Sequence, residues 1–405
     1  MLPMQFALQK LRLNWRSPEF LLMLMAAAMP LSSATWFALI NNFAVERAGF
    51  DGAQFGLMQS IREIPGFMAF AAIFLLIFMR EQTLALVSLL LLGAGVALTG
   101  FFPYALGLYC TTALMSVGFH YYETMNKSLS LQWIEKSRTP QVLGNLIAVG
   151  SFTSLLAFAL IYAGLTVLDL DYKNVYIAAG GLTCALVLFA VIAYPHFPQK
   201  HEQRKKLILR RRYWLYYALT FLSGARRQIF VVFAGFLMVE RFGYSAAALT
   251  MLFLVNCAIN IYFAPLIGKL VGKWGERRAL LFEYAGLIGI FTSYAFVQHA
   301  GIAALLYIAD HVFFALAIAM HSYFQKIADP ADIASTAGVA FTINHIAAVV
   351  LPAVLGLLWL HSPAAVFLCG AALAAGSLAL SYLVPDAPQP GNEVRGAHPA
   401  PAFGK

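Results

Sequence analysis

Long apolar runs, separated by short charged or Gly/Pro-rich breaks, fill the chain from Pro18 to Val384. A helix needs about 20 apolar residues to cross the hydrocarbon core of a bilayer. On that measure the runs predict twelve crossings, at 18–43, 53–79, 83–101, 105–131, 140–166, 174–194, 213–239, 246–272, 278–298, 301–326, 334–360 and 363–384. The fold expected is an all-α membrane protein with twelve transmembrane helices. The segment 385–405, with Pro388, Pro390, Gly391, Pro399 and Pro401, has no apolar periodicity and reads as a disordered cytoplasmic tail.

Positive charge orients the helices. Lys10, Arg12 and Arg16 precede the first run, Arg80 follows the second, and Lys136 and Arg138 follow the fourth. Lys200, Arg204, Lys205, Lys206, Arg210, Arg211 and Arg212 crowd into one connector, so 196–212 reads as a basic cytoplasmic linker between halves at 1–195 and 213–384. Such a run can also touch anionic lipid. The opposite side carries only Glu46, Arg47 and Asp51, then Asp169, Asp171 and Lys173, which puts both termini in the cytoplasm. A bacterial inner membrane is the expected setting, and a monomer the expected state.

Composition agrees with this picture, since 61% of the 405 residues are hydrophobic and only 11% are charged. Soluble domains are nearer one quarter charged. The net charge of +9 is concentrated in cytoplasmic connectors, which argues against nucleic acid as a partner. Cys110, Cys184, Cys257 and Cys369 are isolated in apolar runs and form no disulfide or metal pattern. No nucleophile–base motif, nucleotide loop or cofactor motif is present, so an enzyme is not expected.

The chain repeats itself. Val45-Glu46-Arg47-Ala48-Gly49-Phe50 closes the first run and Val239-Glu240-Arg241-Phe242-Gly243-Tyr244 closes the seventh, at an offset of 194. The same offset pairs Lys127-Ser128 with His321-Ser322, Glu135 with Asp329, and Gly144 with Gly338. Two pseudo-symmetric six-helix halves in one orientation follow, related by an axis along the membrane normal.

This arrangement resembles the major facilitator superfamily of secondary transporters. The most specific local similarity is Gly268-Lys269-Leu270-Val271-Gly272-Lys273-Trp274-Gly275-Glu276-Arg277-Arg278. It looks like the family's G-x-L-x-D-[RK]-x-G-x-[RK]-[RK] loop signature, with Gly272 at the acidic position. The resemblance implies alternating access, a gating loop at Gly268, Gly272, Lys273, Gly275, Arg277 and Arg278, and a central cavity lined by spans 1, 4, 7 and 10. The fifth run lacks the G-x-x-x-G-P-x-x-G-G pattern of the superfamily's drug/proton antiporters.

Polar residues inside the runs supply the candidate chemistry. Arg226 and Arg227 sit halfway along the seventh run, where an ionised guanidinium facing lipid costs on the order of 3 kcal/mol. They must face a polar cavity, a ligand or buried carboxylates, for which Glu123, Asp310 and Glu63 are available. Arginine's planar fork suits carboxylate, sulfonate or phosphate. His120, Glu123 and Lys127 share one helical face, with Asn126 at its edge, and Asp310 and His321 share another. Arg62-Glu63 precedes Pro65-Gly66, and Asn344-His345 lies in the eleventh run. Substrate contacts are assigned to Arg226, Arg227, Gln228, Arg62, Tyr122, Asn126, His321 and His345, with an interhelical tie the competing role for Arg62-Glu63. Proton coupling is assigned to Glu123, Asp310, His120 and His311. His120/Glu123 and Asp310/His311 lack a dedicated ligand spacing, so no metal site is expected.

Counted together, Arg62, Arg226, Arg227 and Lys127 exceed Glu63, Glu123 and Asp310 by one charge, which favours an anionic ligand. The sequence therefore reads as a proton-coupled secondary transporter for a small or medium-sized anionic metabolite. An exporter of amphipathic drugs or siderophore-like compounds, or a non-transporting receptor on the same fold, are the alternatives.

Overall fold

The computed structural model describes residues 15–134, 139–198, 209–329 and 333–396. Lys10, Arg12, Glu135, Lys136, Arg138, most of the basic linker and the tail beyond Gly396 lie outside the described residues. The described chain is almost entirely helical. The helices are α1 (Pro18–Asn42), α2 (Gly52–Phe67), α3 (Glu81–Thr99), α4 (Ala105–Trp133), α5 (Thr139–Thr166) and α6 (Tyr172–Ala193). They continue with α7 (Trp214–Ile229), α8 (Ala246–Trp274), α9 (Glu276–Phe296), α10 (Ala300–Phe314), α11 (Ile333–Trp359) and α12 (Pro363–Ser381).

Local chemistry starts them where it should. Ser17, Asp171, Ser245 and Ser362 accept from the amides of Phe20, Asn174, Ala248 and Ala365, and Pro18 and Pro363 open α1 and α12. Several helices are not uniform. A π turn, Phe43–Arg47, extends α1, and α7 runs through a π turn, Phe230–Ala234, into Gly235–Glu240. A 3-10 turn, Ala315–Ala317, joins α10 to Ile318–Ile327, and Met68–Ala71 follows α2 just after Pro65.

Ten of the described helical segments are long and apolar enough to cross a membrane. The chain is an all-α, multi-pass membrane protein. The stretches from Gly52 and from Ala105 are not among them; Gly52–Phe67 has 16 residues and carries Arg62 and Glu63, and Ala105–Trp133 carries His120, Glu123 and Lys127.

Two compact units divide the chain, residues 1–48 with 64–203 and residues 49–63 with 204–405. In the first, α1 packs on α5 and α6, and α3 on α4 and α6. In the second, α7 packs on α11 and α12, and α9 on α10 and α12. Shifted by six helices, these are the same pairings. The repeated turn agrees in backbone as well, because Gly49 and Gly243 both take left-handed φ, 66° and 65°, which glycine adopts without strain.

The first unit is tied by a buried bond from Ser32 Oγ to Thr183 Oγ1, at 2.7 Å, which links α1 to α6. Glu46 accepts from Asn42 and from Tyr172 OH, both at 2.6 Å. In the second unit Glu240, the repeat partner of Glu46, accepts instead from Trp359 Nε1 at 2.8 Å.

Residues 49–63 join the second unit through close backbone contact with α11. A Cβ on Gly56 would overlap Pro352 O, and one on Gly356 would stand 2.5 Å from Gly52 O. Ser60 Oγ accepts from Ala353 N at 2.9 Å, and Phe55 stacks on Phe236 at 4.7 Å. Small residues at such crossings let membrane helices gain dispersion energy from their backbones.

The first residues of the tail differ from the disorder expected of them. Asp386 receives Arg277 Nη1 at 3.0 Å, Tyr323 OH donates to Glu393 O, and Arg395 N donates to Leu383 O at 2.7 Å. Asp386 to Gly396 thus forms a hooked turn held by polar contacts.

Candidate functional site

The second unit encloses a buried ionic cluster. Arg226 leaves α7 inward, and its Nη2 donates to Glu283 Oε1 of α9 at 3.2 Å, with side-chain exposures of 2% and 0%. Ser223 Oγ lies 3.4 Å from the same nitrogen, and the guanidinium sits 5.0 Å from the centre of the Tyr284 ring. Asp310 of α10 is buried within electrostatic reach of both Arg226 and Glu283. Arg226 Nη1, Glu283 Oε2 and Tyr284 OH are buried with no hydrogen-bond partner among the described residues.

Glu283 was not among the expected partners of Arg226. Of those, Asp310 lies within electrostatic reach of it. The helix begins at Glu276, and Glu283, two turns along it, is fully buried. The charge count changes with it. Arg62, Arg226, Arg227 and Lys127 now oppose Glu63, Glu123, Glu283 and Asp310, four against four, so the expected positive excess disappears.

Arg227 is placed differently from its neighbour. A step of about 100° along a helix turns it outward. It is exposed, with its guanidinium 5.3 Å from the centre of the Phe314 ring. Gln228 beside it is half-buried. Two residues later the π turn Phe230–Ala234 begins. Such insertions re-aim the side chains around them.

Arg62 and Glu63 form an adjacent ion pair at the end of the 49–63 segment, and both are buried. His345 Nε2 lies 3.7 Å from Glu63 Oε2, while its Nδ1 is 2.9 Å from Phe341 O. His311 Nδ1 is 2.9 Å from Tyr307 O, with the ring packed against Phe230 and Tyr307. His321 is exposed. The backbone carbonyl within reach of each Nδ1 fixes that nitrogen as the N–H donor, leaving Nε2 as the acceptor in the neutral ring. Asn344 fills the space beside Gly224, where a Cβ would overlap its Oδ1.

In the first unit α4 is unbroken from Ala105 to Trp133, and along it His120 is buried, Glu123 half-buried and Lys127 exposed. Tyr122 and Asn126 present polar atoms, OH and Oδ1, that are buried and without a partner among the described residues. Of the eleven residues matching the loop signature, Gly268 to Trp274 continue α8, so the turn itself contracts to Gly275 at φ 79°. Behind it Glu276 accepts from Ser322 at 2.7 Å and pairs with Lys326 at 2.6 Å.

Apolar helices of membrane-crossing length, paired in the same way in two units around buried charges, define a polytopic transporter. Its sequence matches the Major Facilitator Superfamily over residues 20–352, and the chain belongs to that family. It is therefore a secondary transporter of the alternating-access fold, a non-catalytic class. No curated protein is similar enough in sequence to count as a relative. Among solved structures, a point mutant of the nucleoside transporter NupG is similar at TM-score 0.74 and 15% identity, over 90% of this chain and 99% of that one. A bacterial homolog of the human lysosomal transporter Spinster, inward-facing and occupied, gives 0.71 and 12%, over 90% and 95%. A POT family transporter in complex with 5-aminolevulinic acid gives 0.68 and 12%, over 90% and 95%. At these identities the likeness is one of fold.

Proposed function

We propose that the chain is a proton-coupled transporter of a small or medium-sized organic anion. Its two six-helix halves would be 1–195 and 213–384, with twelve crossings, both termini cytoplasmic, and a bacterial inner membrane as the setting. The stretches from Gly52 and from Ala105 complete the twelve, since their charges are what a transport path requires.

The observation that carries the anionic reading is the contrast between Arg226 and Arg227. Arg226 is buried against Glu283, and Arg227 is exposed halfway along a membrane-crossing segment, Arg211–Glu240. A guanidinium there is tolerated where it faces water or a ligand, and it presents a bidentate donor to a carboxylate or phosphate. Gln228 extends the same surface with a neutral amide. Arg62 and His345, held around Glu63, are a secondary contact, and Glu123 and Asp310 are the titratable groups for coupling.

Uptake into proteoliposomes under an imposed pH gradient, screened across organic anions, tests both claims. Accumulation that needs the gradient and is lost in Arg227→Gln supports the reading. Gradient-independent uptake removes the coupling, and cationic or neutral cargo handled equally well by Arg227→Gln removes the anion.

A further inference from the structure

We propose that Glu283 and Asp310, buried with Arg226, hold one exchangeable proton between them, making this cluster an ion-binding site in its own right. The argument begins with charge. Two carboxylates and one guanidinium leave one uncompensated negative charge in a region where all three side chains are buried. An isolated ionised carboxylate in such a medium costs several kcal/mol, and a group in that position takes up a proton instead.

Among the described residues the surroundings offer no other compensation. On α7 the next charge is Arg227, which turns outward over Phe314. On α8, Lys269 and Lys273 are exposed. On α9 the remaining ionisable groups are Tyr284, Tyr294 and, at the helix start, Glu276, paired with Lys326, Arg277, paired with Asp386, and Arg278, which is exposed. On α10, His311 directs Nδ1 at Tyr307 O. On α11, His345 turns to Glu63. The α12 helix, Pro363–Ser381, packs against both α7 and α9 and contributes no charged side chain.

The unused atoms match what a mobile proton needs. Glu283 Oε2 lacks a donor, and Arg226 Nη1 lacks an acceptor, among the described residues. A proton resting on either acid satisfies one carboxyl as a hydrogen-bond donor while the other stays ionised opposite the guanidinium. When it leaves, that O–H bond breaks, and the second carboxylate formed is a new acceptor for Nη1. A bare metal cation is a poorer occupant, because Arg226 already holds a fixed positive charge at the same place. Tyr284 OH supplies a hydroxyl donor beside the pair.

Like-charged neighbours of this kind titrate as a unit, so the site takes up one proton rather than two independent ones. A role in coupling rests on the transport reading above; the proton itself does not.

Infrared difference spectroscopy on the full chain in lipid nanodiscs, taken between acidic and alkaline pH, reads the carbonyl stretch of a protonated carboxylic acid. Wild type is expected to lose one buried-acid band as pH rises. Asp310→Asn and Glu283→Gln should each abolish that band, while Glu283→Asp, which keeps the acid and safeguards folding, should shift it. The band should not respond to replacement of choline by sodium. A band that survives both neutralising substitutions, or is lost in only one of them, overturns the shared proton; a sodium-dependent band assigns the site to a metal cation instead. Wild type that fails to transport under a pH gradient yet keeps the band refutes the coupling and leaves the proton site standing.

Discussion

Arg226 and Glu283 come from helices 57 positions apart and meet at 3.2 Å with neither side chain more than 2% exposed. Removing the arginine leaves buried carboxyls without a cation. Arg226→Ala should cost about 3–5 kcal/mol of stability, Glu283→Ala less, because Asp310 remains to face the guanidinium, and a paired apolar replacement, Arg226→Met with Glu283→Leu, should recover most of the larger loss. Thermal melting of the four proteins in one detergent measures this. Additive losses in the double variant would mean that the two side chains are not energetically a pair.

Arg227 should behave in the opposite way. Arg227→Gln removes a charge that stands outside the buried pair, so melting should stay within about 0.5 kcal/mol of wild type. Affinity for an anionic cargo should fall at least tenfold, the loss of one charge-assisted contact of about 1.5 kcal/mol. Isothermal titration together with melting separates the two residues. A large drop in stability with unchanged affinity would exchange their roles.

How much of this was legible beforehand depends on how local each feature is. The apolar runs coincide with helices to within a few residues, because hydrophobic length is written continuously along the chain. The VER-x-G repeat was equally visible, and its glycines share a backbone conformation. Glu283 was missed because its partner Arg226 lies 57 positions away and only the fold brings the two together. The hooked turn at Asp386–Gly396 was missed because polar contacts between distant residues leave no periodicity. The attachment of residues 49–63 to α11 rests on Gly52, Gly56 and Gly356, whose partners only the fold reveals.

The same contacts give a packing prediction. Gly56→Val must push against Pro352 O, and Gly224→Val against Asn344, so each should destabilise by about 1–3 kcal/mol. Gly144 has nothing within 4 Å of its absent Cβ, and Gly144→Ala should be neutral or slightly stabilising, since alanine favours a helix interior. Melting temperatures that fall equally in all three variants would show that helix propensity, and not close approach, sets the effect.

Orientation is open to direct labelling. In a chain with its native cysteines replaced, Arg210→Cys should react with an impermeant maleimide only from the cytoplasmic side, and Asp51→Cys only from the other. Lys173→Cys should follow Asp51→Cys, since position 173 is exposed. Reaction of position 173 from the cytoplasm would invert the expected topology.

The paired turns at Gly49 and Gly243 also bear on ancestry. Their φ angles agree to within a degree, yet the acids three residues before them have taken different partners, Asn42 and Tyr172 for Glu46 and Trp359 for Glu240. A duplicated gene keeps the backbone geometry that only glycine tolerates and lets the surrounding side chains drift. Differences between the two copies then become a record of specialisation. By that measure the acid at 283 belongs to the second copy alone, since the position 194 residues earlier is Leu89.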